Sequence, residues 1–458
     1  MNDTPMFQTA LPTRIKSRSM GVKLLIVCIL ALAMTIPALF VDDLVDDRTR
    51  RESTVMNEIS EHVGGQQTFL GPTLAIPYDV RAHGSLEVIR HGTYFVFPAQ
   101  ATAALKIATE ERRRSLFRVP IFQAGLKLDA SFDLAGVPSA LPEGAALDWS
   151  HAEVIVGVTD PRGALADGVI TIGGKSITLT PSQTAENLTI GAEQNQQVKL
   201  RLFGATAGPV ESSSKFDVSA QMRFSGAQRI ALLAYGKTTR LNMQGDWPNP
   251  SFDGGFLPVS RTITPSGFTA EWNVPFIARV VRAEGVVDSI RSLDATALGV
   301  SFVEVADPYQ SVNRSLKYVL LFVGLLFVTY FVFEVTTGKR VHPAQYVLIG
   351  IAQIIFYLLL LSLSERIGFD YGFLVAGAAT VILLSTNAGW IFVSRLLALR
   401  AFVVFTLLYA LIYMLLRLED NALLVGAIAS FLAVAVAMYL TRSIDWYGSL
   451  PEASTTNP

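Results

Sequence analysis

Five long apolar runs fill most of the C-terminal part of this chain and decide what it can fold into. They occupy residues 318–335, 346–363, 371–393, 399–416 and 422–440. As a helix rising 1.5 Å per residue, each run is about long enough to cross a hydrocarbon core roughly 30 Å thick. Charged residues stand only between the runs or at their ends. Because backbone amides inside hydrocarbon must be satisfied within their own segment, the runs predict a bundle of five transmembrane helices.

A further apolar run follows a basic N-terminal tail. Residues 1–23 carry four basic side chains against the single acid Asp3. Residues 24–41 then contain no charge, and no small-residue cleavage site follows them. We therefore expect an uncleaved anchor helix, which brings the number of spans to six.

Basic residues are unevenly distributed over the short segments that flank the spans. With the N-terminus in the cytoplasm, the inside segments hold nine basic residues and the short outside loops only Arg366 and Arg417. The positive-inside rule then predicts a bacterial inner-membrane protein with both termini cytoplasmic and the large insert in the periplasm. The predicted domains are a basic cytoplasmic tail (1–23), an anchor helix (24–41), a periplasmic β-rich domain (42–316), a five-helix transmembrane domain (317–441) and a cytoplasmic C-terminal tail (442–458).

The insert has the sequence pattern of a β domain. A loosely helical stretch predicts that the first helix continues to just before Gly64. Beyond it, short β-branched or aromatic runs are broken by Gly, Pro, Asp and Ser, which is typical of strands. Residues 169–179 predict a hairpin around Gly173-Gly174, and the charged run 110–114 predicts a turn between strands. The strands so predicted include residues 94–97, 124–132, 154–158, 197–203 and 216–224.

These patterns predict a mixed membrane protein. It has an N-terminal transmembrane helix, a large periplasmic all-β (sandwich-like) domain and a C-terminal bundle of five transmembrane helices. The strand pattern is compatible with one large sandwich or with two smaller ones.

Composition and motifs argue against several function classes. The net charge of −1 leaves no excess of cations for binding nucleic acid. The only cysteine, Cys28, lies in a predicted span, and the five histidines lack metal-ligand spacing. No G-x-S-x-G motif is present. We predict no cofactor, no metal site and no catalytic residue, with a carboxylate dyad on envelope material as the enzymatic alternative.

Residues 247–272 combine large rings with prolines and glycines. One interpretation is a proline-stapled corner of the β core with its rings buried for packing. The other is an aromatic-walled groove for a partner protein, peptide or glycan. The rings of this candidate interaction surface are Trp247, Phe252, Phe256, Phe268 and Trp272.

Glu334 and Gln353 form the candidate intramembrane polar site. Glu334 lies near the end of its run, and we expect its side chain to reach toward Lys339 or Arg340. Gln353 is expected to make a hydrogen bond between helices. The spans carry no charge at their centres, where transporters usually place one. Transport, or the handling of lipid or protein by the bundle, is therefore an alternative and not the favoured function.

Segments spread over almost the whole chain carry a family likeness. They include Leu70-Gly71-Pro72, Trp247-Pro248-Asn249-Pro250-Ser251-Phe252, Gly255-Phe256-Leu257-Pro258, Asp307-Pro308-Tyr309-Gln310, His342-Pro343-Ala344-Gln345-Tyr346 and Ile444-Asp445-Trp446-Tyr447. Together they resemble the CreD family of bacterial inner-membrane proteins, which are described as cell-envelope integrity proteins. The resemblance implies six spans, a periplasmic insert, and expression under a two-component system linked to envelope stress and β-lactamase induction. It implies no active site.

The favoured function is therefore non-enzymatic. We expect an envelope-integrity or stress-response factor that acts through contacts of its periplasmic domain. Its expected partners are the lipid bilayer and envelope proteins or glycan, with no nucleic acid.

Overall fold

A computed structural model describes residues 20–81, 88–114, 117–139, 141–191, 197–208, 214–302, 308–417 and 422–442. Two compact units divide the chain. The helical unit comprises residues 1–50 and 306–458, and the β unit comprises residues 51–305. The β unit lies within the predicted periplasmic domain 42–316, whose boundaries stay a prediction.

Nine α-helices are present in the described part of the chain. In chain order they are α1 (Met20–Ala33), α2 (Thr35–Val63), α3 (Phe276–Arg279), α4 (Pro308–Leu316), α5 (Val319–Thr337), α6 (Pro343–Ile367), α7 (Phe369–Phe392), α8 (Arg395–Arg417) and α9 (Ala422–Thr441).

Five helical segments of the described residues are long and apolar enough to cross a membrane. They are Gly21–Val63, which joins α1 and α2, and the helices α5, α6, α7 and α8. Helix α9 is also apolar and covers the last predicted run. The predicted apolar helices are thus confirmed as helices, and the sixth membrane crossing stays a prediction.

The first helix extends well beyond its apolar run, as predicted. Only Met34 separates α1 from α2, and α2 ends at Val63 before Gly64 and Gly65, which both have positive φ. Helix α1 already begins at Met20, so Lys23 belongs to the helix and not to a free tail. One stripe at helical spacing is buried. It consists of Met34, Ala38, Val41 and Val45.

Nineteen strands form the β unit as far as it is described. They are β1 (Gln67–Arg81), β2 (Val88–Val96), β3 (Gln100–Arg114), β4 (Phe117–Asp133), β5 (Ala145–Leu147), β6 (Glu153–Val158), β7 (Val169–Ile172), β8 (Lys175–Thr178), β9 (Thr180–Pro181), β10 (Asn187–Ile190), β11 (Val198–Thr206), β12 (Lys215–Ala227), β13 (Arg229–Leu233), β14 (Thr238–Gly245), β15 (Pro250–Gly254), β16 (Ser260–Thr264), β17 (Gly267–Val274), β18 (Glu284–Val286) and β19 (Ala297–Phe302).

Two sheets share one hydrophobic core in this unit. The larger runs in the order β10-β11-β6-β1-β13-β19-β15, with β2, β5, β9 and β18 paired alongside. The smaller runs in the order β16-β17-β14-β3-β4-β12-β7-β8. Phe69 and Val300 of the first sheet and Leu126 and Met243 of the second belong to the same buried cluster. The predicted mixed membrane protein with an all-β domain is confirmed, and a single core joins its two sheets.

Two local predictions met different outcomes. The hairpin is confirmed: β7 and β8 pair around Gly173 and Gly174, whose φ angles of 56° and 83° fit a two-residue turn. The turn predicted at residues 110–114 is wrong, because these residues continue β3 and pair with β4. Residues 110–113 are exposed, so this end of the strand is solvated whichever way a side chain points.

Tyr235 joins the two sheets through its hydroxyl group. The residue follows β13 of the larger sheet, and its Oη donates to the carbonyls of Thr102 (3.0 Å) and Asp129 (2.9 Å) in the smaller sheet. Burial raises the pKa of Tyr235 well above its usual range. Gly71 in β1 leaves room for the ring, because a Cβ there would lie 2.5 Å from it.

We expect Gly71→Ala to destabilise the β unit by about 3 kcal/mol, because the Tyr235 ring has no room to move aside. Tyr235→Phe should cost about 1–2 kcal/mol through the lost donor alone. Thermal unfolding of the full-length protein in detergent, followed by circular dichroism, measures both. The control is Gly125→Ala, whose added carbon would meet nothing within 4 Å. Equal effects of the two alanine variants would contradict the packing argument.

Candidate functional site

Glu334 is buried in the helical unit and paired with the N-terminal helix. Its residue is 1% exposed, and its Oε1 forms an ion pair with the ammonium group of Lys23 in α1. The hydroxyl of Tyr346 donates to the other oxygen at 3.2 Å. The predicted reach of Glu334 toward Lys339 or Arg340 is wrong, because Lys23 occupies the carboxylate and Lys339 donates instead to the carbonyl of Phe392.

A second carboxylate contacts the same helical segment further along, within α2. Glu365 at the end of α6 has a side chain only 9% exposed and accepts from the hydroxyl of Tyr309 at 2.9 Å. Arg48 of α2 approaches it at 3.9 Å. Sequence reasoning did not single out this group, because one acid beside a span end has no distinctive spacing. Carboxylates thus contact the segment formed by α1 and α2 at Lys23, near its start, and at Arg48, within α2.

Gln353 lies at the centre of a second polar group, between α6 and α8. It is fully buried, and its Oε1 accepts from the hydroxyl of Tyr409 at 2.6 Å. The predicted hydrogen bond between helices is therefore present. Gln353 Nε2, the Tyr357 hydroxyl and the Ser364 hydroxyl have no partner among the described residues. These three positions of α6 share one helical face, so their polar atoms lie along one side of the helix.

Tyr330 adds a polar link between α5 and α7. Its hydroxyl donates to the carbonyl of Leu384 at 2.7 Å and accepts from the side-chain amide of Asn387 at 3.3 Å. Together with the Lys23–Glu334 ion pair and the Tyr409–Gln353 hydrogen bond, these contacts link the helices of the bundle through polar groups. Whether Glu334 and Gln353 have a further functional role stays a prediction.

The predicted aromatic set of the β unit is largely used in packing. Trp272, Phe268 and Trp247 are 2%, 3% and 8% exposed, whereas Phe252 and Phe256 are half-buried. Phe252 meets Phe268 and Trp272 edge-on, with centroids 5.8 Å apart in each pair.

Trp247 packs separately, against Phe302. Both indoles of the set also donate to backbone carbonyls nearby. These positions favour the packing interpretation, and the interaction surface stays a prediction.

An exposed apolar tip lies a few residues beyond this set, and sequence reasoning missed it. Phe276, Ile277 and Val280, which we call the apolar tip, are 47%, 91% and 89% exposed. Val280 has φ 58°, an unfavourable conformation for a β-branched residue. A possible sequence signal was the pair of large apolar residues directly after Pro275, where the alternating strand β17 has just ended.

Arg279 fixes the apolar tip to the β unit. It is 1% exposed, its guanidinium lies 4.0 Å from the centre of the Phe97 ring, and its Nε donates to the carbonyl of Ala234 at 2.8 Å. Burial lowers the pKa of Arg279 to about 9. The tip is therefore held by a buried cation and does not depend on the packing of its own exposed side chains.

The buried Glu153 and the partly exposed Asp253 of the β unit both make hydrogen bonds within the protein. Glu153 accepts from the Ser182 hydroxyl at 2.6 Å and from the Thr184 amide at 3.2 Å. Asp253 accepts from Arg229 at 2.7 Å and from Ser301 at 2.5 Å. Within the described ranges, no group of three or more His, Cys, Asp or Glu side chains could hold a metal ion.

Comparison with known proteins gives one family over nearly the full length. A family model described as inner membrane protein CreD matches residues 19–447. The chain belongs to the CreD family. The inner membrane protein CreD of Escherichia coli (strain K12) is 28% identical over 441 residues, which cover 92% of this chain and 92% of that protein. Membership in the CreD family and the apolar helices together identify a multi-pass inner-membrane protein.

We expect Lys23→Met to destabilise the helical unit by about 3–5 kcal/mol, because it leaves the Glu334 carboxylate buried without a counter-charge. The double variant Lys23→Met/Glu334→Gln should be less destabilised than Lys23→Met alone, since no buried charge remains and Tyr346 keeps an acceptor. Thermal unfolding in detergent measures both, with Arg400→Met at an exposed cation as the control. Additive losses in the double variant would argue against a coupled pair.

Proposed function

We propose that this CreD-family protein is a non-catalytic envelope-integrity factor that acts through contacts of its β unit in the periplasm. The apolar tip is the observation that carries the proposal. Two aliphatic side chains about nine-tenths exposed, in the short helix α3 and at its C-cap, forgo roughly 1.5–3 kcal/mol each relative to burial. A partner surface that covers Ile277 and Val280 would recover that free energy.

The backbone of the tip supports the same proposal. A β-branched residue in the left-handed region costs of order 1–3 kcal/mol, and such strain concentrates at functional sites. Val280 is held there by its neighbours: Arg279 on one side is buried beneath Phe97, and Val281 on the other is 5% exposed. The tip is thus preorganised, which lowers the entropic cost of binding. An apolar surface suits an envelope protein better than a glycan.

The charged residues of the β unit support a non-catalytic role. Asp148, Ser150 and His151 resemble a nucleophile triad in composition, but His151 Nδ1 faces both Asp148 (2.7 Å) and Ser150 (3.2 Å). A triad needs the serine and the aspartate on opposite ring nitrogens. The hydrogen bonds from Ser150 and His151 lower the pKa of Asp148, which suits a structural turn.

The proposed orientation rests on the distribution of basic residues. The larger number of Lys and Arg beside the spans marks the cytoplasmic side and leaves residues 42–316 in the periplasm. Expression linked to envelope stress and β-lactamase induction belongs to the same proposal and rests on the resemblance to the CreD family.

Ile277→Asp should abolish rescue of the envelope defect of a strain lacking the protein, because a carboxylate cannot enter an apolar interface without a large desolvation cost. It should change the free energy of unfolding by less than about 0.5 kcal/mol, since the side chain is on the surface. In Val280→Asn the new side chain tolerates the left-handed backbone conformation. A loss of rescue in this variant therefore reflects loss of the apolar contact and not loss of the fold.

Thr262→Asp, at an exposed position of β16, is the matched control and should rescue fully. Full rescue by Ile277→Asp would refute the contact proposal. A photocrosslinker at position 277 in intact cells then identifies what the tip touches.

The two alternatives have their own tests. Alanine substitution of the acids and histidines of the β unit would favour an enzyme if one change abolished rescue while the protein stayed folded and inserted. Glu334→Gln and Gln353→Leu would favour transport if rescue were lost with normal insertion and stability.

A further inference from the structure

A groove runs along the helices α7 and α8. Two cavities of about 710 Å³ and 600 Å³ lie between these helices, and Ile382 and Phe402 line both of them. The two cavities adjoin at these shared walls, and we call them together the groove. It extends from Asp370 and Tyr413 at one end to Arg395 at the other.

The middle of the groove is apolar and shaped by small residues. Gly377, Ala378 and Ala410 line it without long side chains, while Leu374 and Phe402, 65% and 42% exposed, form its rims. Both helices are long and apolar enough to span a membrane, so exposed side chains along them face lipid hydrocarbon. The groove therefore has the chemistry of a site for an acyl chain.

The Asp370 end of the groove carries both signs of charge. Arg417 forms an ion pair with Asp370, and Arg417 Nε donates to the hydroxyl of Tyr413 at 3.3 Å. That hydroxyl donates in turn to Asp370 Oδ1 at 3.0 Å. Asp370 lines the cavity, Arg417 lies beside it through their ion pair, and the two side chains are 50% and 55% exposed.

We propose that this end of the groove binds a phospholipid with an ethanolamine headgroup. One acyl chain lies over Gly377 and Ala378, the phosphate accepts hydrogen bonds from Arg417, and the ammonium group donates to Asp370. Guanidinium and phosphate are well matched in geometry.

The carboxylate sets the specificity of the site. A headgroup with only negative charge would satisfy Arg417 and be repelled by Asp370, whereas ethanolamine complements both. An apolar partner helix could fill the apolar part of the groove, but it would make no polar contact with Asp370 and Arg417 at its end.

The test is lipid binding to the delipidated full-length protein in detergent, counted by native mass spectrometry. Phosphatidylethanolamine and phosphatidylglycerol with the same acyl chains are the probes. We expect about a fivefold preference for phosphatidylethanolamine, the size of one exposed charge interaction. Asp370→Asn, which keeps an acceptor for Tyr413, should abolish the preference. Arg417→Gln should lower the affinity for both lipids about tenfold.

A pair of groove variants tests the position of the acyl chain. Ala378→Phe fills the groove and should lower the affinity for both lipids. Val375→Phe, at a residue of α7 that is 51% exposed and lines neither cavity, should leave binding unchanged.

Three results would overturn the proposal: equal binding of the two lipids by the unmodified protein, equal weakening by the two phenylalanine variants, or capture of a protein helix instead of lipid by a photocrosslinker at position 378. Thermal unfolding is measured on every variant. If Arg417→Gln does not fold, the lipid preference of Asp370→Asn, compared with that of the unmodified protein, decides the test.

Discussion

The ion pair between Lys23 and Glu334 is the constraint on which the helical unit depends. An ionised carboxylate that is 1% exposed among apolar helices is stable only with a partner. Lys23 supplies the counter-charge and Tyr346 a hydrogen bond, which together fix α1 against α5 and α6. Glu365 makes a similar set of contacts further along the segment, with Arg48 of α2 and with Tyr309. The N-terminal segment is therefore an integral part of the bundle and more than a membrane anchor.

The features that depend on local pattern could be predicted from the sequence. Apolar runs of membrane length, period-two alternation and a Gly-Gly turn each reflect a rule that acts over a few residues. The partner of Glu334 could not, because proximity along the chain pointed to Lys339, whereas the actual partner lies 311 residues away. The exposure of the apolar tip could not be predicted for another reason. It depends on the buried position of Arg279 and on the backbone conformation of Val280.

The β unit uses its polar residues to fix its own geometry. Tyr235 joins the sheets through two carbonyls, Glu153 accepts three hydrogen bonds, and Arg279 stacks on Phe97. Buried hydrogen bonds of this kind make the β unit rigid around these groups. Rigidity is what a contact surface needs, because a preordered surface loses little entropy on binding.

The separation of Lys23 and Glu334 along the chain also sets an order of biosynthesis. The N-terminal helix emerges first, yet its carboxylate partner is made 311 residues later. At roughly 5–20 residues per second, Lys23 waits for tens of seconds, long enough for the intervening β strands to be synthesised. Bundle closure is therefore a late event, because a chain that ends before α5 lacks the carboxylate that pairs with Lys23.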